Sequence, residues 1–163
     1  MGNVKIFLDT NILLDVLEGD RPSTAFSNVI FQAVRDRLLE AVLTTQSVVD
    51  ASYIASRRKG SNLNSFCQSI LQLMHYLNIE GLDAFDLKEA LLHSTGDFEE
   101  DVQFSRALES GCDMFITSDR KIRHRLPDYS GMLVYTPEEL VQTMIDLPLE
   151  QRPANTLSPQ RGR

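Results

Sequence analysis

The 163-residue chain is 42% hydrophobic with a formal net charge of -7, a composition that suits one globular domain with a substantial core and leaves little room for two. The acidic balance weighs against a general binder of polyanions, and two cysteines without C-x-x-C spacing, Cys67 and Cys112, weigh against a zinc site or disulfide framework, so reduced structural thiols are expected. No apolar run approaches the roughly eighteen residues of a membrane span and no signal-peptide pattern opens the chain, so a cytoplasmic protein without membrane association is expected.

In chain order, residues 4–8 (Val-Lys-Ile-Phe-Leu) form a short apolar, partly β-branched run that breaks at Asp9-Thr10-Asn11, which predicts a strand ending at Asp9 and a helix over 12–18. A helix over 23–39, a strand at 42–44 and a helix over 46–58 follow; Asp50 lies in the otherwise apolar, small-residue start of that last helix, where a carboxylate needs a partner. Over 62–77, Leu63, Phe66, Cys67, Ile70, Leu73, Met74 and Leu77 recur at three- and four-residue steps behind Ser61 and Asn62. That stripe, like the one at 23–39, serves either the core or a homodimer face. A strand at 77–79, helices over 84–93 and 98–110, a strand at 114–117 running into Ser118-Asp119-Arg120, a strand at 132–135 and a helix over 137–146 complete the pattern. Parallel strands need helical crossovers, so the alternation predicts an α/β fold, a three-layer α/β/α sandwich on a mainly parallel sheet of about five strands. After Leu147-Pro148 the composition turns to Gln, Arg, Pro, Asn, Ser and Gly, which predicts one domain over 1–147 and a flexible tail over 148–163.

Five aspartates, Asp9, Asp50, Asp97, Asp101 and Asp119, lie at or beside element ends. Strand-terminal Asp9 and Asp119 meet at one sheet edge if their strands are parallel neighbours. On a helix Asp97 and Asp101, four residues apart, stack on one face; Asp97 is equally placed to cap that helix after Gly96, whereas Asp101 lies too deep for a cap. Glu99 and Glu100 read as ordinary first-turn acids. Gathered carboxylates cost stability unless a cation neutralises them, and hard oxygen ligands suit Mg²⁺ or Mn²⁺, ions that activate water for in-line attack at phosphorus. Of the basic groups, Arg35/Arg37 and Arg57-Arg58-Lys59 read as solvated faces, while Arg120, Lys121, Arg123 and Arg125, next to Asp119, are placed for phosphate contact. His75, His93 and His124 are assigned to packing or surface. No G-x-x-x-x-G-K-[ST] or G-x-S-x-G motif is present, which removes P-loop NTPases and the usual α/β hydrolases.

The ordered set Leu8-Asp9-Thr10-Asn11-Ile12, Asp50, Asp97-Phe98-Glu99-Glu100-Asp101 and Phe115-Ile116-Thr117-Ser118-Asp119 resembles the PIN (PilT N-terminal) domain over about residues 3–140. The resemblance implies a five-stranded parallel α/β domain and a metal-dependent nuclease, most often acting on RNA. It implies Asp9, Asp101 and Asp119 as metal ligands, with Asp97 beside them, and Asp50 in the place of the second acid, which is commonly Glu. It implies an orienting amide at Asn11, with Thr117 and Ser118 steadying the last aspartate. The toxin branch of the family, which the chain also resembles, has a small antitoxin protein as partner. Two other readings stand beside the nuclease. One is a catalytically weak RNA- or protein-binding module, motivated by the short Asp50 and the acidic charge. The other is a phosphatase with Asp9 as covalent nucleophile, disfavoured by Asn11 where a second Asp is expected.

Overall fold

The computed structural model describes residues 3–60, 62–122 and 131–146. Five strands, β1 (Val4–Leu8), β2 (Leu39–Thr44), β3 (Asn78–Glu80), β4 (Met114–Ile116) and β5 (Leu133–Tyr135), form one all-parallel sheet in the order β3-β2-β1-β4-β5. Among the described residues the helices are α1 (Thr10–Glu18), α2 (Thr24–Arg35), α3 (Thr45–Ser56), α4 (Leu63–Leu73), α5 (Ala84–Leu92), α6 (Phe98–Glu109) and α7 (Pro137–Asp146). The proposed boundary at 147/148 and the tail lie outside the described residues, as do Arg123, His124 and Arg125.

The pleat of β1 sends alternate side chains to opposite faces, and two cores result. Ile6 and Leu8, with Ala41, Leu43 and Ile116, pack beneath Ile12 and Leu13 of α1, Ile30 and Val34 of α2, Ala51 of α3, Ile70 and Leu73 of α4 and Leu140 of α7. Phe7, Val42 and Phe115 face the other way onto Phe104 and Ala107 of α6, Cys112 and Ile122. The Phe7 and Phe115 rings stack at 5.2 Å across the β1/β4 pair, and Phe104 tilts onto Phe115 at 5.9 Å. Strands buried on both sides read as continuous apolar runs, which is how the sequence announces them. On this second face α5 is tied to α6 by charge: Arg106 donates from Nε to Asp86 at 3.0 Å and also pairs with Asp83 at 2.9 Å, and Asp86 is fully buried.

Most element bounds agree with expectation to within two residues, with two corrections. The second helix ends at Arg35, not 39, and Leu39 already belongs to β2, which is longer than the 42–44 expected. The stop is made by Arg37 in the left-handed region (φ 60), with Leu38 N–H donating to Ala33 O at 2.9 Å; this position usually takes glycine, so the apolar Leu38 and Leu39 extend the helical pattern with no visible break. The stripe at 62–77 is likewise split. The helix stops at Leu73; Ile70, Leu73 and Leu77 enter the core, while Leu63, Cys67 and Met74 stay exposed. Cys112 is the buried thiol, and Cys67 is a surface one.

Candidate active site

The chain order across the sheet reverses between β1 and β4, the place where open α/β sheets leave a crevice at the carboxyl ends of their strands. Asp9 sits there. Its backbone N–H donates to Ile116 O at 3.0 Å, continuing the β1/β4 ladder one step, and α1 begins at the next residue. Asp9 is only 5% exposed, yet accepts from Thr117 Oγ1 at 2.8 Å and more weakly from Asn11 Nδ2 at 3.4 Å. Burial pushes its carboxyl above the ordinary range, and these side-chain bonds and the amide end of α1 offset only part of that.

Thr117 joins the two strand ends, because the hydroxyl that donates to Asp9 also accepts the Asp119 backbone N–H at 3.0 Å. Asp119 then accepts from Lys121 N–H at 2.8 Å, a turn that holds it half-buried at the same edge. Ser118 follows Thr117 with its hydroxyl buried and, among the described residues, lacking a hydrogen-bond partner. Arg120 pairs at 3.5 Å with Glu138, both exposed, and Lys121 is exposed beside it. His75 and His93 are surface residues, His93 lying 3.7 Å from Glu89.

The remaining acids come from helices. Asp50 on α3 is half-buried and accepts from Gln46 Nε2 at 2.8 Å. Asp97 caps α6, accepting from Glu100 N–H at 3.3 Å, so the capping role open in the sequence is filled. Glu99, expected to be an ordinary first-turn acid, is exposed by residue, yet loss of solvent around its carboxyl and then the charges of Asp50, Asp9 and Asp97 raise it above the usual range. Asp101 has partners of its own. Both its oxygens are taken by Thr95, at 2.9 Å from the backbone N–H and 2.5 Å from the hydroxyl, and it lines a cavity of about 110 Å³ between α5 and α6. Residues two apart on a helix point about 200° from each other, so Glu99, which shares Gln103 with Thr10, and Asp101 face different ways. Pairing Asp97 with Asp101 on one face fails because Asp97 precedes the helix.

Beneath the acids runs a buried polar chain that periodicity alone does not reveal. Gln103 Nε2 donates at 3.3 Å to both Glu99 and Thr10 Oγ1; Thr10 donates to Ser47 Oγ at 2.9 Å, which lies 2.9 Å from Thr44 Oγ1. The signal available was polarity out of place: Gln103 between Val102 and Phe104, and Thr10, Thr44 and Ser47 where strands give way to helices. Among the described residues, no three His, Cys, Asp or Glu side chains gather tightly enough to enclose an ion. The charges of Asp50, Asp9 and Asp97 act on Glu99 at longer range, second to loss of solvent in raising its carboxyl. Their donor chemistry, carboxylate oxygens with a buried hydroxyl and an amide, is that of a hard divalent cation.

A family model described as the PIN domain matches residues 5–121. The chain belongs to the PIN domain family. PIN domains are typically nucleases and commonly use divalent metals, and this PIN domain shares their five-stranded parallel α/β/α architecture. No curated protein matches it in sequence. Among solved structures it is similar to VapC20 of Mycobacterium tuberculosis, a toxin that cleaves the sarcin-ricin loop, with TM-score 0.59 and 11% identity, covering 73% of this chain and 93% of that one. It is also similar to VapBC2 of Rickettsia felis bound to a promoter DNA fragment (TM-score 0.60, 13% identity, 82% and 98% covered). A third similar structure is FitAB bound to its IR36 DNA fragment (TM-score 0.55, 14% identity, 81% and 94% covered). Among the described residues no helix is long and apolar enough to cross a membrane.

Proposed function

We propose that this PIN domain is a toxin-type endoribonuclease that cleaves RNA phosphodiester bonds with Mg²⁺ or Mn²⁺. The observation that carries the reading is the burial of Asp9 at the β1/β4 reversal with Asp119 tied to it through Thr117, an arrangement that is costly until a cation screens it. Asp9 and Asp119, joined through Thr117, are the residues that would hold the metal, with Asp50, Asp97 and Glu99 adding negative charge from farther off. A bound divalent ion neutralises phosphate charge and acidifies water for attack at phosphorus. Thr117 and Asn11 orient Asp9, and Gln103 orients Glu99. Arg120 and Lys121, exposed just past Asp119, contact the phosphates that flank the scissile bond.

The likeness to VapBC2 and FitAB supports a small antitoxin protein as partner. It would seat on the helices of the larger core, where α3 and α4 leave Val49, Tyr53, Leu63, Leu71 and Met74 exposed.

Cleavage of a fluorophore-labelled RNA in Mn²⁺ and in EDTA, by wild type, Asp9→Asn and Asp119→Asn, tests the enzyme. Metal-dependent cleavage that falls at least about a hundredfold in both variants is expected. Equal cleavage by a folded variant refutes the site. Mn²⁺ binding by the wild type without turnover refutes catalysis and favours the RNA- or protein-binding module.

A further inference from the structure

Arg21 lies in the turn between α1 and α2, outside every motif that marks the acidic edge. Its backbone is pinned: Arg21 N–H donates to Thr24 Oγ1 at 3.1 Å, Thr24 N–H returns to Arg21 O at 3.1 Å, and Pro22 narrows the conformations open to Arg21. From that fixed base the guanidinium divides its donors. Nε meets Asp15 Oδ1 at 2.8 Å, one terminal nitrogen meets Glu18 Oε2 at 3.3 Å, and the other meets Asn11 Oδ1 at 3.1 Å. Asp15 is 1% exposed and its second oxygen accepts from Ser27 Oγ at 2.8 Å, so the anchor is itself held from two sides.

The consequence lies in Asn11. A side-chain amide is nearly symmetric in shape, and its orientation is decided by its neighbours. Arginine has donors only, so the Asn11 atom that faces Arg21 must be the oxygen. That leaves the NH₂ group for Asp9, 3.4 Å away. With the amide turned over, an oxygen would face the buried Asp9 carboxylate and repel it. We infer that Arg21 is a positioning residue, which sets the orientation of Asp9 by locking the Asn11 amide with its donor side toward that carboxylate. The role needs arginine: a fork can hold Asp15 and Asn11 at once, whereas a lysine ammonium is a point donor. Its effect on metal binding and catalysis rests on the nuclease reading; the relay itself does not.

The test uses the full chain as wild type, Arg21→Lys, Asn11→Ala and the double variant. In metal-free protein, NMR identifies the Asn11 side-chain amide pair as the signal lost in Asn11→Ala. It is expected to be distinct from free asparagine in the wild type and to move toward the free position in Arg21→Lys. Arg21→Lys is expected to weaken Mn²⁺ binding, followed by EPR, and RNA cleavage by about tenfold. In the Asn11→Ala background the same change adds no more than about twofold, because the route is already cut. An unmoved Asn11 signal, or effects that add in full, overturns the inference. Arg21→Gln replaces the lysine variant if that one does not fold; if neither folds, the wild-type spectrum decides, since a solvent-like Asn11 amide overturns the relay and a distinct one supports it. A wild type that neither binds Mn²⁺ nor cleaves RNA sinks the nuclease reading, while the NMR comparison still judges Arg21.

Discussion

Asp9→Asn removes a charge from a buried point, so the substitution expected to end cleavage is also expected to stabilise the metal-free protein. Burial raises the Asp9 carboxyl above its ordinary 3.8, and Thr117 at 2.8 Å and Asn11 at 3.4 Å compensate only in part. A carboxyl raised by folding binds more protons folded than unfolded, so its stabilising contribution is complete below 3.8 and is lost as pH climbs through the raised value. At neutral pH the wild type carries the whole cost of the ionised group. The asparagine oxygen can still accept from Thr117, and no charge remains. The gain is about 0.5–2 kcal/mol, the range for relieving a strained functional site, or a melting temperature about 1–8 °C higher in a protein of this size. Melting curves of both proteins in EDTA from about pH 3 to pH 8 give the check. The curves converge at the acid end and separate as pH rises, with the variant above. Mn²⁺ at a hundredfold excess over its Kd then lifts the wild type by about 2.7 kcal/mol and leaves the variant nearly where it was. A variant that melts below the wild type at neutral pH without metal, or an equal Mn²⁺ response, refutes the reasoning.

Glu99→Gln is expected to weaken Mn²⁺ binding and cleavage about tenfold or more with little change in melting, whereas Asp101→Asn loosens the Thr95 clamp at a cost of about 1–3 kcal/mol and leaves cleavage per folded molecule intact; the opposite pattern would return the role to Asp101. Arg106→Met leaves the fully buried Asp86 with the Asp83 backbone N–H, 2.9 Å away, in place of its ion pair. Urea unfolding should register a loss of about 3–5 kcal/mol, and a loss under about 1 kcal/mol would contradict a buried charge stranded by the change. Burial pushes the Cys112 thiol up to about 12, while Cys67 is exposed. A thiol reagent at mildly alkaline pH should therefore label one cysteine quickly and the second only on unfolding, and two fast labels would show that Cys112 is not shielded.

The fold was legible because its strands are buried on both faces and stand out as short apolar runs. Asp9 and Asp119 were legible because a carboxylate that ends such a run has few other places to be. Helical acids were harder. Spacing says that Asp97 and Asp101 share a face only if both are inside the helix, and the first helical residue is Phe98. The expected start at 98 was right, but which acid turns toward the strand ends depends on how α6 is rotated on the sheet, fixed by the burial of Phe104 and Ala107 and not by the bounds of the helix. Arg37 escaped notice because a non-glycine stop carries no compositional mark. Arg21 and Gln103 act by contacts across the chain, Gln103 reaching back to Thr10 over 93 positions, and local patterning is blind to such pairs.

The acidic edge has two foundations. Asp9 and Asp50 are mounted on elements braced by the larger aliphatic layer, while Asp97 and Glu99 ride on α6, which leans on the Phe104–Phe115 contact and the Arg106 clasp. Erosion of the thinner layer should therefore detune chemistry before it melts the molecule, so that damage there would pass unnoticed in a stability screen and surface first as a catalytic defect.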